Sequence, residues 1–168
     1  MRKKLLLISM TLAGCTRGAP SSKPPSGELR QLTPLPVAAP LPPGAQVEDL
    51  SGPGLPRRVN VTSLKPELIF DLEEVDAQSP PHDDVLRLAT RASVPGEHAE
   101  LRKDEKAGDG TFTVLVQHDE PAGNERVESF TVDTRVRAGS RAYDCTGTAS
   151  GLAVAERLEA TCKSLREF

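Results

Sequence analysis

Imidazoles and thiols are the side chains of this sequence with the most chemistry to offer. His82, His98 and His118 each stand beside acids, in His82-Asp83-Asp84, Glu97-His98 and His118-Asp119-Glu120. Imidazole with carboxylate is both a metal-ligand set and an acid–base pair. A metal site, however, announces itself by close and repeated ligand spacing, and these three are scattered. The expectation is solvated loop histidines, with no metal and no cofactor. The competing reading brings the loops at 81–84, 97–100 and 118–120 together around a metal, a small ligand or a substrate. Asp104-Glu105-Lys106-Ala107-Gly108-Asp109-Gly110 superficially suggests a calcium loop. It lacks the alternating acids and the distal bidentate glutamate, so a hairpin turn is expected there. There is no G-x-S-x-G, no Gly-rich phosphate loop and no H-E-x-x-H. Cys15, Cys145 and Cys162 are too far apart for a redox-active C-x-x-C. The chain therefore reads as non-enzymatic, with no catalytic residue assigned.

The first of those cysteines sits at the end of a leader. Arg2, Lys3 and Lys4 make a basic start, and an apolar run from Leu5 to Ala13 follows. That run falls short of the ~20 residues a membrane-spanning helix needs. A charged start, a short apolar stretch and small residues at the end describe a secretory signal peptide. Leu12-Ala13-Gly14-Cys15 resembles the lipobox of bacterial lipoproteins. The resemblance implies that Leu12, Ala13 and Gly14 are recognition residues, that residues 1–14 are removed, and that Cys15 becomes the lipidated first residue. Two or more acyl chains hold a protein firmly at a bilayer, whereas one holds it marginally. In many such bacteria an aspartate after the lipidated cysteine retains the protein at the inner membrane. Thr16 stands there in this chain, so the resemblance implies the outer membrane, facing the periplasm. With Cys15 set aside, Cys145 and Cys162 remain as an even pair in an exported protein, and a structural disulfide between them is expected.

Composition bounds what lies beyond the anchor. The 168 residues are 37% hydrophobic with four Phe, one Tyr and no Trp, enough for one modest core. From Val59 onward 13 basic residues face 21 acidic ones. An acidic domain argues against nucleic acid, whose binding depends on neutralising phosphates. The remaining partners are the membrane, through the lipid on Cys15, and another envelope protein or a cell-wall component. Ten of the fifteen prolines fall between Gly18 and Pro56. There Leu32, Leu35, Val37 and Leu41 follow neither a strand nor a helix period. Residues 15–57 are therefore expected to form a disordered Pro-rich linker.

Residues 58–168 read as a single small α+β domain. Leu68, Phe70 and Leu72 alternate as in a strand, with Asp71, Glu73, Glu74 and Asp76 forming a solvated, charged strand edge. Asp83 is a candidate N-cap for a helix over 84–92. Phe112, Val114 and Val116 mark a strand after the hairpin turn at 107–110. Phe130, Val132 and Val136 point inward on the next strand, with Thr131, Asp133 and Arg135 outward. Tyr143 and Cys145 share a side of the one after. Ser150 then caps a C-terminal helix whose stripe is Val154, Leu158, Cys162 and Leu165, with Glu159 and Lys163 paired on the opposite face. The predicted architecture is about four antiparallel strands in a meander covered by one or two helices.

Overall fold

The computed structural model describes residues 27–76 and 80–168. The lipobox residues Leu12, Ala13 and Gly14 and the lipidation candidate Cys15 lie outside the described residues. Strands take 53% of the described residues and helices 14%, so the chain is mainly β and not the predicted four-strand α+β layer. In chain order the elements are β1 (Glu28–Gln31), β2 (Val37–Leu41), β3 (Gln46–Asp49), β4 (Arg58–Leu64), β5 (Glu67–Val75) and α1 (His82–Ala89). They continue with β6 (His98–Lys106), β7 (Phe112–Ala122), β8 (Glu125–Ala138), β9 (Arg141–Ala149), α2 (Leu152–Lys163) and β10 (Arg166–Glu167). Seven strands form one antiparallel sheet in the order β3-β4-β5-β9-β8-β7-β6, and β1-β2-β10 form a second, small one.

The Pro-rich segment expected to be a disordered linker is folded from residue 27 onward. Its apolar residues Leu32, Leu35, Val37 and Leu41 are all fully buried. They show no period because they come from a hairpin and its turn, not from one long element. Leu32 N–H donates to Val37 O at 2.9 Å and Leu35 N–H to Leu32 O at 2.8 Å, closing that turn. Pro40 is tolerated in the middle strand because β10 reaches only Val37 and Ala38. No ladder donor is therefore lost on that side.

Alternation along the strands gives the large sheet two different faces. One face carries Val59, Val61, Leu68, Phe70, Leu72, Leu115, Phe130, Val132, Tyr143 and Cys145. It is covered by the small sheet and by Ala155, Leu158 and Cys162 of α2. A Cβ on Gly147 would collide with Ile69 O and stand 2.8 Å from Leu158 Cδ2, so the bare glycine is what lets α2 lie this close to β9. Cys145 and Cys162 are bonded across this interface, Sγ to Sγ 2.04 Å. Ser150 does not cap α2. Gly151 occupies the N-cap, and Ser150 Oγ instead donates to Glu67 Oε2 at 2.6 Å. Glu159 pairs with Lys163 as expected, but away from solvent. It is buried and accepts from Lys163 Nζ at 2.7 Å and from Lys103 Nζ of β6 at 2.8 Å.

The opposite face is covered by α1, whose Val85, Leu86 and Ala89 pack on Phe112, Val114 and Val116. The helix starts at His82 behind Pro81, one residue before the expected cap. Asp83 and Asp84 therefore lie in its first turn, where the helix dipole favours negative charge. Thr90 closes the other end, its hydroxyl donating to Leu86 O at 2.8 Å. The acidic run after Phe70 is not at a sheet edge, since β5 pairs with β4 on one side and β9 on the other. Asp71 bonds Arg58 at 2.5 Å and Asn60 at 2.9 Å, and Glu74 bonds Arg141 at 2.5 Å.

Candidate functional site

The histidines are placed differently from the expectation of solvated loops. His82 is buried at the start of α1. Its Nε2 is 2.6 Å from Asp104 Oδ1 on β6 and its Nδ1 2.9 Å from Asp83 Oδ1. Its ring meets Phe112 edge-on at 5.3 Å. His118, on the α1-covered face of β7, is buried as well, with Nδ1 2.5 Å from Glu97 Oε1. Glu97 in turn accepts from the Ser93 and Val94 amides. The hydrogen bond from His118, then those amides, hold its carboxyl below the usual range. His98 is exposed at the start of β6, paired in register with Asp119. The three rings therefore do not meet, and among the described residues no group of three His, Cys, Asp or Glu side chains is placed to hold a metal. His82 and His118 act as two fasteners, one at each end of the α1 segment. The residues from Asp104 to Gly110 lead into and form a hairpin turn, in which Gly110 N–H donates to Ala107 O at 3.2 Å and Asp109 Oδ1 accepts from the Thr111 amide at 3.0 Å.

Between those fasteners, α1 roofs a cleft of about 200 Å³ over β8 and β9. Its floor comes from the residues that alternate with the core-facing ones. The register sets Arg135 opposite Asp144 and Asp133 opposite Thr146. Arg135, expected to point into solvent, is 3% exposed. Its Nε and Nη2 donate to the two Asp144 oxygens at 2.6 and 2.7 Å, and its Nη1 to Pro80 O at 2.9 Å. Its guanidinium lies 5.0 Å from the centre of the Phe112 ring. A planar cation held by a bidentate carboxylate, a carbonyl and a ring face is a fixed structural group.

Asp133 differs from Asp144. Thr146 stands opposite it in the register, and no Lys or Arg among the described residues pairs with it. Burial pushes its carboxyl above the usual aspartate range; the Thr146 hydrogen bond works against this, the Asp144 charge adds to it and His118 opposes it. Val85, Leu88 and Ala89 of α1, with Phe112, supply apolar walls. The result is a small pocket with one carboxyl that no Lys or Arg among the described residues neutralises. Both Asp144 oxygens are committed to Arg135, which leaves no second carboxylate free for acid–base work beside Asp133.

No known protein family, curated protein or solved structure gives a significant match to the chain. None of the cleft residues was singled out from sequence. The alternation on β8 assigns Asp133 and Arg135 to the outward face, and what covers that face is Val85 and Ala89 of α1, packed on Phe112, Val114 and Val116.

Proposed function

We propose that the chain is a lipid-anchored lipoprotein of the bacterial envelope, held at the outer membrane facing the periplasm. Its folded part serves as a non-enzymatic interaction or accessory module for another envelope protein or a cell-wall component. The observation that carries this reading is Leu12-Ala13-Gly14-Cys15 behind a basic and apolar leader. The Cys145–Cys162 bond supports it, because structural disulfides belong to oxidising compartments and this one accounts for every other cysteine. The commitment of Asp144 to Arg135 supports a binding rather than a catalytic role for the cleft.

The test is detergent phase partitioning of the protein made in a Gram-negative host. The native protein is expected in the detergent phase and the Cys15→Ser variant in the aqueous phase or the uncleaved precursor fraction. Equal partitioning of the two would remove the anchor from the account. Crosslinking in intact cells then identifies the envelope partner.

A further inference from the structure

We propose that the cleft between α1 and strands β8 and β9 binds a primary ammonium on a short apolar stem, with Asp133 as its counter-ion. This goes beyond the anchoring proposal and does not depend on it.

The charge balance of the cleft points to a cation. Its two carboxyls face one guanidinium, and Arg135 is spent on Asp144 through two short hydrogen bonds. Arg135 also occupies the ring of Phe112, so that ring offers its remaining surface as a wall and not as a cation site. The side of the cleft formed by α1 brings Val85, Leu88 and Ala89, none of which ionises. The charged or titratable groups acting on Asp133 are Asp144 from β9 and His118 from β7, and Arg135 beyond Asp144.

Shape and hydrogen bonding narrow the cation further. At ~30 Å³ for each water-sized group, the space holds about six or seven such groups. That is an ammonium on a stem of five or six carbons. It is below the ~300 Å³ at which drug-sized ligands begin to fit. A guanidinium wants both oxygens of a carboxylate in one plane, whereas an ammonium is a point charge content with one. Thr146, opposite Asp133 in the register and lining the same cleft, crowds one side of that carboxyl, which favours the ammonium. The same chemistry is offered by a free alkylamine and by a lysine side chain of a partner protein.

Binding would draw the proton from Asp133, since the ammonium stabilises the ionised carboxylate that burial disfavours. Affinity should therefore rise with pH through the titration of Asp133 and level off above it. The experiment is calorimetric titration of the full mature protein in detergent micelles with pentylammonium, 1-pentanol and pentylguanidinium. We expect saturable one-to-one binding of pentylammonium, weakened roughly tenfold or more for the alcohol, as loss of a hydrogen bond between charged groups implies. Asp133→Asn should weaken the amine to the level of the alcohol and leave the thermal midpoint unchanged or higher. Asp84→Asn, on the exposed side of α1, should change nothing. Equal affinity for amine and alcohol, amine binding insensitive to Asp133→Asn, or no saturable binding would overturn the proposal. The amine-to-alcohol ratio and its pH dependence are read on the unaltered protein, so the proposal stays testable even if Asp133→Asn fails to fold. Nα-Acetyl-lysine methylamide separates the two sources: binding as tight as pentylammonium assigns the stem to a lysine side chain, and binding of the free amine alone assigns it to a small molecule.

Discussion

Opening the Cys145–Cys162 bond should cost this fold about 3 kcal/mol. The two residues are 17 apart in sequence, and the bond closes a loop containing the end of β9, the turn at 150–151 and nearly all of α2. In the chain-entropy relation a loop of this size removes ~10 cal/mol/K from the unfolded ensemble, or ~3 kcal/mol at room temperature. Both sulfurs are fully buried between the large sheet and α2, so a reductant must wait for the interface to open. The comparison is best made by unfolding and refolding the protein with and without reductant, which leaves every core atom in place. Substituting the cysteines would add the loss of two buried sulfurs. Thermal unfolding followed by circular dichroism should then show the reduced form melting roughly 10 °C lower, at a few degrees per kcal/mol for a domain of this size. Urea unfolding should give the same free-energy difference with an m-value raised in the reduced form, because its unfolded state is more open. Midpoints within ~2 °C of each other would refute the reasoning. They would mean that packing of α2 on β9, without the bond, already closes this loop in the unfolded chain.

Other positions give sharper local tests. Gly147→Ala should destabilise by about 1–3 kcal/mol in urea unfolding, because the added methyl meets the backbone of β5 and the side chain of Leu158. Gly108→Ala, with nothing within 4 Å of its Cβ, should be nearly silent in the same assay. Arg135→Ala strands Asp144 on a covered sheet face without its cation, and should cost about 3–5 kcal/mol, read as a lowered urea midpoint. Asp133→Asn should act in the opposite sense. Because the folded value lies above the ordinary 3.8, the folded chain holds a proton that the unfolded chain has released. Stability therefore falls as pH rises from 3.8 through the raised value, and the asparagine variant should lose that part of the pH dependence. Glu97 works the other way. Its contribution is present above the ordinary 4.5 and disappears as pH falls through its depressed value, so Glu97→Gln should flatten the acid limb.

Much of the central sheet is legible in sequence wherever one face of a strand meets the core. Leu68, Phe70 and Leu72, or Phe130 and Val132, alternate because the residues between them face something other than that core. The hairpin before Thr111 is visible because Gly110 takes a positive φ of 86° that favours glycine. The α2 stripe is visible because Leu158 and Cys162 are buried and Val154 packs beside them, whereas Leu165, expected on the same stripe, is buried just past the helix end. What escapes is every feature created by a second covering layer or by a distant strand. Leu32 and Leu35 look like parts of a tether because the core they join is built mostly from residues far away in sequence. Arg135 and Glu159 look solvated because charged side chains usually are. Here Asp144 sits directly opposite one, and Lys103 reaches the other from a strand 56 residues earlier. The cleft is hidden for the same reason. Asp133 is polar on a face that alternation calls outward, and only the docking of α1 turns that face into a pocket floor. Imidazoles are the more visible candidates, but His82 spends both ring nitrogens on fastening the start of α1, and His118 spends Nδ1 on Glu97 in the loop that follows it.

The central claim places the mature N-terminus in a bilayer through Cys15, and intact mass spectrometry of the protein extracted from cell envelopes tests it most directly. The account predicts a chain beginning at Cys15, heavier than its peptide mass by a diacylglyceryl group with or without a third acyl chain, and two hydrogens lighter for the Cys145–Cys162 bond. A chain that retains Met1, or one cut elsewhere and carrying an unmodified Cys15 thiol, would contradict it.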